Sequence, residues 1–67
     1  TSLTAEFTGK EKDVMVQIYD ASGRSVQANR MSNKNVLEIP VSQLAKGMYW
    51  IILSDGITLQ NGQFITE

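Results

Sequence analysis

Gly47-Met48-Tyr49-Trp50-Ile51-Ile52-Leu53 is the most apolar run of the chain, and Ser54 separates it from the turn pair Asp55-Gly56. Its consecutive large apolar and aromatic residues suit a strand covered on both faces, because side chains alternate sides with a period of two. A helix fits less well. The run is short, opens with Gly, stops at a turn pair, and is rich in the aromatic and β-branched types that fit a pleated surface. It is expected to be a central strand.

Downstream, Asp55-Gly56 is the strongest short-range hairpin signal in the chain. The returning strand is expected to start Ile57-Thr58-Leu59-Gln60, with Ile57 and Leu59 inward. Leu59 and Phe64 cannot share a face of an uninterrupted strand. Either a bulge at Asn61-Gly62 resets the alternation, which is the favoured reading, or the strand continues with Ile65 inward and Phe64 outward.

Upstream, Ser42 to Gly47 reads as a single helical turn, with Ser42 as N-cap, Gly47 as its terminal glycine and Leu44 plugging one end of the core. Val36 to Val41 places Leu37, Ile39 and Val41 on one face, and Pro40 assigns the segment to an edge or a strand end. Ser32 to Asn35 is a polar loop. Arg24 to Met31, with Val26 and Ala28 inward, is the hairpin partner of the strand carrying Val14, Val16 and Ile18. Asp20-Ala21-Ser22-Gly23 is the turn between them: Asp20 caps it with its side chain, and Gly23 supplies the positive φ. Gly9 to Asp13 is a charged connection, and Thr1 to Thr8 alternates with Leu3, Ala5 and Phe7 on one side. Five to seven short strands with polar turns imply an all-β fold, a small antiparallel β-sandwich.

With 67 residues the chain is one domain near the lower limit for independent folding. An ordering cost of about 1.5 kcal/mol per residue comes to roughly 100 kcal/mol, which burial only just offsets. No cysteine is present to staple it, so the composition suits the cytosol or a module that leans on a larger neighbour. The start at Thr1 reads as a fragment or processed piece, with any export signal on a part that precedes it. Net charge is −1 with the two signs interspersed, which nominates no nucleic-acid partner. The longest apolar run is about a third of the ~20 residues of a membrane helix, so no segment is expected to span a bilayer as one.

Without His or Cys, the commonest general base, the thiolate nucleophile and the usual zinc ligands are missing. The carboxylates fall in turns or on polar strand faces, which favours solvated surface over an acid/base pair. The chain is therefore read as noncatalytic, with no cofactor and no metal. One other reading gathers Asp13, Asp20 and Asp55 at one end of the sandwich around Ca²⁺, although their spacing matches no known loop. Tyr49 and Trp50 point to opposite faces. Trp50 is the candidate exposed aromatic, able to stack on a sugar or dock a partner if it is not core packing. A small sandwich also has open edges that invite strand addition, including by a second copy.

Two blocks carry a family resemblance. Val16-Gln17-Ile18-Tyr19-Asp20-Ala21-Ser22-Gly23-Arg24-Ser25-Val26 resembles the "strand, Tyr-Asp, two residues, Gly-Arg, strand" core of the C-terminal sorting domains of the type IX secretion system of Bacteroidetes. Leu37 to Ile51 is similar to the same family's "Ile-x-Leu-x-x-Leu-x-x-Gly-hydrophobic-Tyr" block, in the family's order and spacing. Asp20, Gly23 and Arg24 fall on the first motif, Gly47 and Tyr49 on the second.

The resemblance implies a seven-strand Ig-like sandwich, with residues 1–67 forming one C-terminal sorting domain cut from a larger secreted protein. It also implies passage through the periplasm, recognition by the outer-membrane secretion translocon, removal by a sortase-like peptidase, and an N-terminal cargo domain that ends at the cell surface or secreted. The last strand, Phe64, Ile65, Thr66 and Glu67, is the candidate recognition strand. Two features depart from the family: the opening Pro-Asn-Pro segment with its first strand is not seen, and the tail carries no Lys and ends acidic. The alternative is an Ig-like accessory module of a surface enzyme, binding carbohydrate or spacing domains.

Overall fold

The computed structural model describes residues 2–66. It contains β1 (Ser2–Glu6), β2 (Asp13–Asp20), β3 (Ser25–Ser32), β4 (Val36–Pro40), β5 (Gly47–Ser54) and β6 (Leu59–Thr66), with no helix among the described residues. All pairings are antiparallel. They build a four-stranded sheet in the order β3-β2-β5-β6 and a two-stranded sheet, β1-β4. The result is the expected small antiparallel β-sandwich, with Gly47–Leu53 in an interior strand.

The core forms where the period-two faces meet. Val14, Val16 and Ile18 of β2 and Tyr49, Ile51 and Leu53 of β5 lie buried beneath Leu37 and Ile39 of β4, with Phe7 and Val41 completing the cluster. Leu3, Ala5, Met31, Leu44 and Phe64 pack around its margin. Only one face of β5 is covered: Met48 and Trp50 on its other face are 46% exposed, so the expectation of cover on both faces does not hold.

The inward faces of β3 and β6 differ from expectation, and local hydrogen bonding explains both. In β3 the inner residues are Gln27, Asn29 and Met31, opposite Ile18, Val16 and Val14, while Val26 and Ala28 face outward. A register shift between Ile18 and Tyr19 leaves Val26 as the extra residue of a bulge, which sets this parity. In β6 there is no bulge at Asn61-Gly62. The strand pairs with β5 without a register shift, Phe64 faces inward, and Leu59 and Ile65 face outward. Ile57 is held in the turn instead of opening the strand, because Asp55 Oδ1 accepts the N–H groups of Ile57 at 2.9 Å and Thr58 at 2.6 Å. The hairpin loop is therefore Gly56-Ile57, with Gly56 at φ 93°.

The segment after Val41 is a turn and not a helical one. Leu44 N–H donates to the Val41 carbonyl at 3.1 Å, and Gly47 begins β5 instead of closing a helix.

Two glutamine amides join the sheets along their open sides. Gln60 of β6 donates to the Glu6 carbonyl at 3.2 Å and accepts the Thr8 N–H at 2.8 Å. Gln27 of β3 donates to the Pro40 carbonyl at 2.7 Å. The two donated bonds satisfy the Glu6 and Pro40 carbonyls, which the two-stranded sheet leaves unpaired at its edges. Asn33 does similar service for the loop after β1, donating to the carbonyls of Gly9 at 2.7 Å and Glu11 at 2.9 Å.

That loop crosses the core at Gly9, where a Cβ would collide with the Phe7 ring and with Asp55 Oδ2. Phe7 is 1% exposed and has nowhere to move. Gly9→Ala is therefore expected to destabilise the domain by about 1–3 kcal/mol, the usual scale of overpacking. A lowered urea midpoint would show this; an unchanged midpoint would contradict the packing described.

Candidate recognition site

The two sequence blocks lie far apart along the chain, yet the β2–β5 pairing brings them to one end of the molecule. Asp20 sits opposite Tyr49, and the turn of Gly23 and Arg24 follows directly from Asp20. The end of β6 arrives at the same pole, with Thr66 opposite Gly47, Ile65 opposite Met48 and Phe64 opposite Tyr49. Asp20, Gly23, Arg24, Gly47, Tyr49, Phe64, Ile65 and Thr66 thus form one cluster of neighbouring elements. Glu67, the remaining candidate of the last strand, lies outside the described residues.

Several of the described residues in this cluster have a local physical task. The Asp20 carboxylate organises its turn: Oδ1 accepts the Ser22 hydroxyl at 2.7 Å and the N–H groups of Ser22 and Arg24, each at 3.0 Å. Its Oδ2 meets Arg24 Nε at 3.3 Å, although Arg24's side chain is 80% exposed and the ion pair is correspondingly weak. Gly23 takes φ 90° at the close of the turn, where a Cβ would be strained. Tyr49 buries its ring, stacks on Phe64 at 5.6 Å, and donates its hydroxyl to the Ala45 carbonyl at 2.7 Å. Thr66 donates to that same carbonyl at 2.7 Å, so the loop before β5 is tied to both β5 and the end of β6.

Beside this end, the uncovered face of the large sheet carries an apolar strip. Trp50 stands opposite Tyr19, Met48 opposite Ile65, and Ile65 is 69% exposed. A shallow depression of about 410 Å³, lined by Tyr19, Gly23, Trp50, Ile51, Ile52 and Asn61, runs from the strip to the Gly23 turn. Exposed apolar surface of this kind is the usual mark of a docking face. Alternation alone places Tyr19 on the face of β2 opposite the core and Trp50 on the face of β5 opposite Tyr49; the sheet order adds that the two stand side by side, with Met48 on the same face and Ile65 beside it.

The Ca²⁺ reading fails on geometry. Asp13 opens β2 and Asp20 ends it, a separation of about 23 Å for an eight-residue strand. Among the described residues no three His, Cys, Asp or Glu side chains come together as a metal site. Asp55 is committed to its own turn, and its pKa is lowered chiefly by the Thr58 N–H and then by that of Ile57.

Asp20 is held at a pKa of about 2, below the ordinary 3.8, by the Ser22 hydroxyl first and the Arg24 N–H second. A carboxylate whose pKa is lower in the folded state contributes stability above its unfolded value and loses it as pH falls toward the folded one. The domain should therefore lose stability as pH drops from 3.8 to about 2. Asp20→Asn should show a lower urea midpoint at neutral pH and a shallower decline across that window; an identical pH profile would contradict the turn's role.

No curated protein and no solved structure matches the chain. The family described as the secretion system C-terminal sorting domain matches residues 1–67, the whole chain. No helix among the described residues is long and apolar enough to cross a membrane. Membership implies a cargo on the N-terminal side of the same polypeptide and the secretion machinery as partner. It also implies export across the outer membrane to the cell surface or the medium. With two motif blocks and the last strand brought to one end of an all-β sandwich, and a family match over its full length, this chain belongs to the C-terminal sorting domains of the type IX secretion system.

Proposed function

We propose that this domain is a noncatalytic address, the C-terminal domain of a larger secreted protein. The outer-membrane translocon binds it through the end that carries Asp20, Gly23, Arg24, Gly47, Tyr49 and the last residues of β6. A sortase-like peptidase removes it from the cargo after export. The observation that supports this reading is the convergence of both motif blocks with the end of β6 beside an exposed apolar strip.

Within this reading the motif residues divide their work. Asp20, Gly23 and Gly47 set backbone geometry and Tyr49 packs the core, so their substitution abolishes export through the fold. Trp50, Met48 and Ile65 form the surface that is touched, so their substitution abolishes export without unfolding the domain. Strand addition at an open edge is a second mode of contact, since edge backbone groups bind an extended segment irrespective of its side chains.

Residues 1–67 fused behind a periplasmic reporter, in a host with a type IX system, should carry the reporter out of the cell. Trp50→Ser in the same fusion should leave most of the reporter in the periplasm while the isolated domain keeps its β-sheet circular dichroism. A reporter retained by the unaltered domain would contradict the sorting role. Undiminished export of the Trp50→Ser fusion would contradict the assignment of the exposed face.

A further inference from the structure

The edge strand β6 lacks the devices that normally protect an open edge. It has eight residues, no charge, no Pro and no register shift, whereas the opposite edge β3 carries Arg30 outward and a bulge at Val26. Its outward residues are symmetric in type about Gly62, with apolar Leu59 and amide Asn61 on one side and amide Gln63 and apolar Ile65 on the other.

The hydrogen-bond phase of β6 follows from its hairpin. Asp55 N–H donates to the Thr58 carbonyl at 3.2 Å, so Asp55 and Thr58 are a bonded pair. Alternation then makes Leu53/Gln60, Ile51/Gly62 and Tyr49/Phe64 the bonded pairs with β5. Leu59, Asn61, Gln63 and Ile65 are left aiming their backbone N–H and C=O groups out of the free edge. The same residues carry the exposed side chains, with Leu59 at 63% and Ile65 at 69% exposure.

We infer that the domain pairs with a second copy of itself through β6, antiparallel, about a two-fold axis at Gly62. This rests on the reading of β6 as the interaction strand and names one partner for it. An isologous contact requires a self-complementary patch, in which residue i meets j and j meets i. Centred on Gly62, the register places Leu59 against Ile65 of the other copy and Asn61 against Gln63. All four outward residues meet in bonded pairs, for about eight backbone hydrogen bonds. On the outward face, shifting by two residues in either direction sets an apolar side chain against an amide, which this register avoids there; on the inward face this register sets Gln60 against Phe64 of the other copy. The absence of charge removes the like-charge repulsion that self-pairing would otherwise bring. The two large sheets become one continuous eight-stranded sheet, and the exposed Leu59 and Ile65 cover each other.

Sedimentation of the 67-residue chain over a range of concentrations should show a reversible dimer. The double variant Asn61→Lys, Gln63→Lys sets Lys against Lys in this register and should weaken self-association by at least about tenfold. Mixing it with Asn61→Glu, Gln63→Glu should restore a dimer, which an unfolded chain would not form. Gly62→Cys fixes the register: the added Cβ meets Ile51 Cγ2 at an ordinary 3.8 Å. A facing non-hydrogen-bonded pair lies about 4.5 Å apart at Cα, within disulfide range. Oxidation should therefore cross-link Gly62→Cys faster than Gln63→Cys. A chain monomeric at every concentration, a dimer indifferent to the lysines, or faster cross-linking at Gln63→Cys would overturn the inference. Export of the reporter fusion is read independently, so a monomer that still exports refutes the pairing and not the sorting role.

Discussion

Everything in this molecule hangs from the antiparallel pairing of β2 with β5. Those strands contribute Val14, Val16, Ile18, Tyr49, Ile51 and Leu53 to one continuous buried surface, and the rest of the fold is arranged to keep water off it. β3 and β6 extend the sheet on either side, while β1 and β4 lie across it as a two-stranded cover. Full burial of a Val, Leu or Ile side chain is worth about 1.5–3 kcal/mol. In so short a chain no other source of stability is comparable, since no disulfide is present and the Asp20–Arg24 ion pair is exposed. The same pairing also aligns the Asp20 turn with Gly47 and Tyr49, so the core and the candidate site share one structural origin.

A cover of only two strands leaves the sandwich open along both sides, and polar side chains deal with that opening. Gln27 and Gln60 occupy inward-facing positions of the two edge strands and reach across to carbonyls of the small sheet. An apolar residue there would add burial but leave the Pro40 and Glu6 carbonyls reliant on water. The outer face of the large sheet has no such cover, and apolar residues remain on it. Trp50, Met48 and Ile65 stay exposed there, and on the proposed reading they are the surface that a partner touches.

Much of this was legible in the residues. The β5 run, the alternation of β2, the turn at Asp20–Gly23 and the edge placement of Pro40 follow from local rules, and so does the all-β class. The parity of β3 and β6 was not legible, because the period-two argument sends apolar residues inward by default. Val26, Leu59 and Ile65 break that default: a bulge fixes register at Val26, and the Asp55 carboxylate fixes it by holding Ile57 in the turn. Gln27 and Gln60 gave no signal beyond being amides in strands, since their worth depends on which carbonyls lie across the gap. At the candidate site, the motif spacing singled out Asp20, Gly23, Arg24, Gly47 and Tyr49 without placing them relative to one another. Only the sheet order shows that they meet the end of β6 at one pole.

Backbone hydrogen exchange reads the central pairing directly. If β2 and β5 form the interior of the large sheet, the amides of Val14 to Tyr19 and Tyr49 to Leu53 should be the slowest to exchange in the chain. Those of the β1–β4 cover should open sooner, because the cover depends on the sheet beneath it. Uniformly fast exchange across Tyr49 to Leu53, or protection concentrated in β1 and β4, would contradict the account.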